Sequence, residues 1–365
     1  AAGSGWAGAG GVRVPANVQA RGATSRGSLA EGAGGRGNAD INISVASGAT
    51  VGGGSGLGAG ISFLMGAGNK LDNSGIVTST LGVDGYAVRG TSGNEQIVNM
   101  GVVSGSVDLG SGANTFANKV NATFMSGSTV NLGSANALTN DGLLSPGDYQ
   151  RVLTTSLTGN LVQSALGTYG VDLDLKRGTA DRIEVTGTAA LSGVVTINVF
   201  DPNSTVQAAK PGTQEIVIVR AAGGTNQSGL VLVAPTTAVM GYSLQYPNAT
   251  DVVLRSVLDF APAGLVGGNQ AAVAAAVNAI QAAQSSPRFG PIATALFFQP
   301  SAAALGAAYA SLSGSASSGG QQVSFAANDN FMASAGRQAA FWLSGDKIDT
   351  SGYSVTTGNS PRSQF

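Results

Sequence analysis

Four carboxylates lie close together in the chain, at Asp172, Asp174, Asp181 and Glu184. Such a group performs acid/base work when its members differ in protonation, or binds calcium through hard oxygen ligands. Their setting, Val171-Asp-Leu173-Asp-Leu175, alternates strictly. A strand here turns three apolar side chains one way and both aspartates the other, so the aspartates are expected on its solvent face. Ser344-Gly-Asp-Lys347 has the S-x-x-K spacing of a serine nucleophile with a lysine base, but no K-T-G partner accompanies it. Gly3-Ser-Gly5-Trp-Ala-Gly8 matches G-x-G-x-x-G without a strand before it, and Gly66-Ala-Gly68-Asn69-Lys70 lacks the rest of a phosphate loop. Asp84, Arg89, Glu95, Asp108 and Lys119 are too scattered for the acid and base groove of a polysaccharide lyase. The expectation is a protein that is not an enzyme, with no catalytic, cofactor-binding or metal-binding residue.

Composition narrows the choice further. The 365 residues include 56 glycines but no cysteine and no histidine. Disulfide scaffolds, thiolate catalysis, Ser-His-Asp hydrolysis and Cys/His zinc sites are thereby excluded. Eighteen basic and nineteen acidic residues give a net charge of −1, so no electrostatic footprint for nucleic acid is expected. The longest apolar run, Val266 to Ala283, is broken by Asn269, Gln270, Asn278 and Gln281, too polar for a membrane span. Residues 1–10 have neither the basic start nor the apolar stretch of a signal peptide, and the chain reads as part of something longer.

The elements that position these residues are repeats. Asn73-Ser-Gly75-Ile-Val77 returns as Asn99-Met-Gly101-Val-Val103 and Asn140-Asp-Gly142-Leu-Leu144, with Asn121-Ala-Thr-Phe124 as a degenerate copy. Val107-Asp-Leu109-Gly-Ser111 returns 23 residues later as Val130-Asn-Leu132-Gly-Ser134. Each short strand has two inward apolar side chains, which only a neighbouring repeat can cover. The predicted fold is all-β: a right-handed parallel β-helix, or solenoid, with a β cap and a short α-helical C-terminal segment. An antiparallel sandwich with glycine-rich turns would explain the strand lengths but not the repeated register. The predicted divisions are coils over 1–142, a β junction or cap over 143–260, helices over 261–345 and a flexible tail over 346–365. Asn269 and Ser301 are expected to cap helices. Phe331, Ala335, Ala339 and Trp342 suggest a third helix.

Leu144-Ser-Pro-Gly147, Leu157-Thr-Gly-Asn160, Tyr169-Gly-Val-Asp172, Asp181-Arg-Ile-Glu-Val185-Thr-Gly and Leu191-Ser-Gly193 together resemble the junction, or autochaperone region, of bacterial autotransporter passengers. Gly264 to Ile280 and Tyr309-Ala-Ser-Leu-Ser-Gly314 resemble the segment preceding the barrel of that family. The resemblance covers about residues 140–335. It implies an exported passenger at the outer membrane or cell surface of a Gram-negative bacterium, whose junction folds first and whose helical linker threads a C-terminal β-barrel. Its partners would be that barrel and the barrel-assembly machinery. A twelve-stranded barrel would need on the order of 250 further residues. The absence of cysteine and the low charge suit passage through a pore. Phe289, Phe297, Phe298, Tyr309, Phe325, Phe331, Phe341 and Trp342 crowd into the helical end, either to meet a barrel or assembly machinery or to pack as ordinary core. An alternative to the stalk is an adhesin, binding glycans or neighbouring copies through a polar face containing Asn114, Asn118, Asn121, Asn131 and Asn136.

Overall fold

The structure, a computed structural model, describes residues 10–19, 28–30, 40–64, 66–265, 268–284 and 286–344. The Gly3 to Gly8 motif, Lys347 and the 346–365 tail lie outside the described residues, as do the side chains of Phe341 and Trp342. The protein is predominantly β, with 43% strand and 21% helix, and its long sheets are parallel, an arrangement consistent with a β-helix. Among the described residues the strands form no closed barrel.

One sheet has nine strands: Gly10–Val14, Ile41–Val45, Gly68–Asn73, Asn94–Asn99, Thr115–Asn118, Ala137–Asn140, Asn160–Gln163, Ala189–Leu191 and Thr225–Gln227. All eight of its pairings are parallel. Residues two apart on a strand share a face, and the register turns that rule into two inward columns. The first runs Ile43, Leu71, Ile97, Phe116, Leu138, Leu161, Ala189, all buried. The second runs Val45, Asn73, Asn99, Asn118, Asn140, Gln163, Leu191.

Two further parallel ladders complete the core. One aligns Val51, Val77, Val103, Phe124, Leu144, Tyr169 and Val195; the other aligns Val88, Val107, Val130, Leu157 and Val185. The 23-residue repeat is therefore a true register, Val107 opposite Val130 and Asp108 opposite Asn131. Every side chain in these ladders is at most 3% exposed, and each contributes roughly 1.5–3 kcal/mol of burial before entropy is subtracted. The strands Val102–Asp108 and Thr123–Asn131 belong to both ladders and turn between them. The turn at Gly105 uses φ +130°, and a Cβ there would sit 2.7 Å from the Gly85 carbonyl oxygen.

Parallel registers run on across residue 143, with Thr123 opposite Leu143 and Leu143 opposite Thr168. The change of pairing comes later. Strand Gly212–Ala221 is parallel to Arg182–Val185 at its end, yet antiparallel to Asp251–Leu258, which is antiparallel in turn to Met240–Gln245.

Among the described residues five α-helices accompany the sheets: α1 (Pro202–Ala208), α2 (Gly268–Ala283), α3 (Gly290–Phe297), α4 (Ala302–Leu312) and α5 (Ser315–Ser344). Ser301 caps α4, its Oγ accepting from the Ala304 amide at 3.2 Å. Too short and alanine-rich to hold together alone, α2 to α4 dock on α1 and on the end of the β region. Gln281 donates to the carbonyls of Val206, Gln207 and Ala209, and Tyr309 Oη donates to the Phe260 carbonyl. The aromatic cluster divides: Phe297 and Tyr309 are core, whereas Phe298, Phe325 and Phe331 are exposed. No helix among the described residues is long and apolar enough to cross a membrane.

Candidate functional site

The aspartates of the Thr168–Asp174 strand are not on a solvent face. Asp172 is 5% exposed, Asp174 1% and Asp181 0%. Alternation does place them opposite Val171 and Leu173, as the sequence requires, but a second layer of chain covers that side. Residues 147–153 lie over it, and the strand folds back through Thr179–Ala180, antiparallel to Leu173–Asp174.

What holds this covering chain is the carboxylates themselves. Asp172 Oδ2 accepts from the Arg151 amide at 2.7 Å, and its Oδ1 from Asn198 Nδ2 at 2.6 Å. Asp181 Oδ1 accepts from the Leu153 amide at 2.7 Å and Oδ2 from the Asp172 amide at 2.9 Å. Asp174 Oδ1 caps the amides of Lys176 and Arg177, while its Oδ2 meets the Arg177 guanidinium at 2.8 Å. Burial pushes the Asp181 carboxyl up to about 8 against the pull of its two amide donors, and burial likewise raises Asp172. Glu184 stands apart, in an ion pair with Arg182.

A cavity of about 730 Å³ opens beside the cluster, lined by Leu153, Asp174, Arg177, Arg182, Phe200 and Ile216 among others. Its arginines are in ion pairs, Arg151 with Asp84, Arg177 with Asp174 and Arg182 with Glu184, and the buried Nε of Arg182 has no hydrogen-bond partner. Among the described residues, no group of three or more acidic, histidine or cysteine side chains is placed to hold a metal ion. With their oxygens occupied by backbone amides, the Asn198 side chain and the Arg177 guanidinium, the aspartates are equipped to anchor backbone.

The other constellation is the asparagine column. Asn73 Nδ2 donates to Asn99 Oδ1, Asn99 to Asn118 and Asn118 to Asn140, each at 2.8 Å; Asn140 continues to Gln163 Oε1 at 3.2 Å. Each amide's second N–H goes to a carbonyl of the next layer: Asn73 to Val102, Asn99 to Thr123 and Asn118 to Leu143. The Oδ1 of Asn73 and Asn99 also accepts the Gly75 and Gly101 amide. This explains the Asn-x-Gly repeat: asparagine closes the corner while glycine lets the next layer approach, a Cβ at Gly101 meeting the Gly75 carbonyl oxygen at 2.2 Å. The copy expected at Asn121 is displaced. Asn118 holds the ladder position, and its corner is longer, turning through Asn121 at φ +65°.

The residues of the expected polar binding face are mostly occupied. Asn114 and Asn118 point inward and are buried, because each pairs with its neighbouring layers. Asn131 donates to Asp108 and Asn136 to the Gly112 carbonyl, which leaves Asn121 exposed on a corner.

The scattered charges are not brought together. Asp84 pairs with Arg151, Lys119 with Asp141, and Arg89 lies over the Tyr86 ring. Glu95 is fully buried and accepts from Asn69. The Gly68 amide is filled by the Asp40 carboxylate, the wrong partner for a phosphate cradle. The sequence matches no protein-family model and no curated protein.

Proposed function

We propose that the chain is the non-catalytic stalk of a bacterial autotransporter passenger, a right-handed β-helical solenoid displayed at the outer membrane or released from it. Its C-terminal junction promotes folding in one direction as the chain emerges from the cell, and the partner implied is the protein's own outer-membrane barrel. The observation that carries this reading is the uninterrupted parallel register from Val45 to Leu191, followed by the antiparallel strands ending at Leu258. A parallel ladder offers an open edge at each end. The hairpin of Met240–Gln245 and Asp251–Leu258 pairs residues closer in the chain than neighbouring parallel layers are, so it closes with less loop entropy, can form first and can bring Gly212–Ala221 in as an edge for the next repeat.

Aspartate anchors and amide columns fit this role, since both join backbone across neighbouring layers and neither leaves a reactive group free. A low content of charge and an absence of cysteine are compatible with transit in an unfolded state. The test is refolding of the whole chain beside one lacking residues 143–260. Templated folding requires that the truncated chain refold much more slowly or not at all. Equal rates would remove the junction's role.

A further inference from the structure

The cavity beside the aspartates originates in a divergence of strands. Strand Gly212–Ala221 runs parallel to Arg182–Val185 only from Val219 onward, where Ile183 lies opposite it. Its register against Asp251–Leu258 shifts between Val217 and Val219, and residues 212–217 pair with that strand alone. On the facing side the chain also turns away, Thr179–Ala180 folding back onto Leu173–Asp174. The two edges part, and the cavity of about 730 Å³ lies between them. Such irregularities in a sheet re-aim side chains beside functional sites.

Its walls are of two kinds. Leu153, Phe200, Ile216 and Val217 line it and are only partly buried, in a chain whose inward ladders are at most 3% exposed. Arg177 and Arg182 line it as well, and neither has its donors filled. The Arg177 side chain, 70% exposed, gives one of its five N–H groups to Asp174. Arg182 is ion-paired with Glu184 through Nη2, while its buried Nε has no hydrogen-bond partner. Arg220 shows the filled arrangement, with Asp251 on both Nε and Nη2. The lining carboxylates do not complete Arg182: Asp174 is occupied by the Lys176 and Arg177 amides and the Arg177 guanidinium, and Glu215 stands 3.8 Å from Arg255.

We propose that this cavity binds a small organic carboxylate with an apolar body, Arg177 and Arg182 receiving the head group and Leu153, Phe200, Ile216 and Val217 the body. A planar carboxylate matches the fork of a guanidinium, and a buried donor left unfilled is unfavourable until such an acceptor arrives. The volume also fits, since cavities of roughly 300–1,000 Å³ house drug-sized molecules, more room than a bare inorganic anion fills. A neutral sugar would set hydroxyls against the apolar wall, and a metal ion would meet two guanidinium groups. The site goes beyond the stalk function and requires nothing of export.

The experiment is calorimetric titration of the full chain with 2-naphthoate and with its uncharged twin, 2-naphthalenemethanol. Naphthoate should saturate one site per chain and the alcohol should bind at least about tenfold more weakly, because it lacks the charge-assisted bonds to arginine. Arg182→Lys, which keeps the charge but removes Nε, and Arg177→Gln should each weaken naphthoate by about tenfold. Thr154→Trp, at an exposed position on the cavity wall, should abolish binding by filling the space. Lys119→Gln removes a positive charge far from the cavity and should change nothing. Failure of millimolar naphthoate to saturate the wild-type chain overturns the proposal, as does equal binding of the alcohol or undiminished binding in Thr154→Trp. If Arg182→Lys does not fold, Arg177→Gln and Thr154→Trp decide, since both alter exposed side chains.

Discussion

Asn99 donates to Asn118 at 2.8 Å, with both side chains wholly buried and 19 residues apart in the chain. An amide is self-complementary: it donates upward and accepts from below, so a column of them satisfies its members in series while each second N–H binds backbone. The same inward column is apolar at Val45 and Leu191, so the amides are not needed to fill space there. They fix register, because a strand slipped by one residue would bury an amide without a partner.

Removing one amide should therefore cost more than its volume suggests. Asn118→Ala leaves Asn99 without an acceptor and Asn140 without its donor, and is expected to destabilise by about 2–5 kcal/mol in urea unfolding. Replacing both Asn99 and Asn118 by valine should cost less than the sum of the two single changes, since no amide pair is left half-made between them. Additive losses would show that the amides do not act as a column.

Glycines should separate by what surrounds them. Gly101→Ala drives a methyl into the Gly75 carbonyl, and a loss of about 2–4 kcal/mol is expected. Gly336→Ala, on exposed α5 with nothing within 4 Å, should instead be neutral or stabilise by up to about 1 kcal/mol. Thermal melts of the two variants provide the comparison.

Glu95 is buried with its Oε1 held by Asn69 and its Oε2 without a hydrogen-bond partner, and burial raises its carboxyl above the usual 4.5. A raised carboxyl destabilises the fold once it ionises, so stability falls as pH rises through and beyond the free value. Glu95→Gln keeps the acceptor for Asn69 and removes the charge. It should stabilise by on the order of 1 kcal/mol at pH 7 and show little gain at pH 4. Equal effects at both pH values would contradict this.

The helices should differ in the same way. Tyr309→Phe removes the donor to the buried Phe260 carbonyl and is expected to cost about 1–2 kcal/mol. Ending the chain at residue 314 removes α5, whose described side chains are exposed, and should leave the midpoint of thermal unfolding nearly unchanged.

The repeats were legible because two physical needs coincide in them: an asparagine to close each corner and a glycine to let the next layer approach. Where a corner lengthened, the glycine spacing failed, and Asn118 was hidden behind the more conspicuous Asn121. Gln163 was hidden for the same reason, its corner reaching Thr168 five residues on rather than three. The aspartates misled for a different reason. Alternation tells which side of a strand a residue occupies, but not whether another segment covers that side. The cover over Asp172 and Asp181 comes from residues 147–153, whose irregular backbone carries no periodic signal, and from the two-residue strand Thr179–Ala180, too short to show one. The Asp84 to Arg151 pair, 67 residues apart, has no local signature at all.

Direction of folding is the claim on which the functional account rests, and pulsed hydrogen exchange during refolding of the full chain tests it most directly. The account predicts that amides of Gly212–Ala221 and Asp251–Leu258 are protected first, then those around Val185 and Leu157, and last those around Leu71 and Ile43. Protection that arises first at Ile43 and Leu71, or in all layers together, would contradict it.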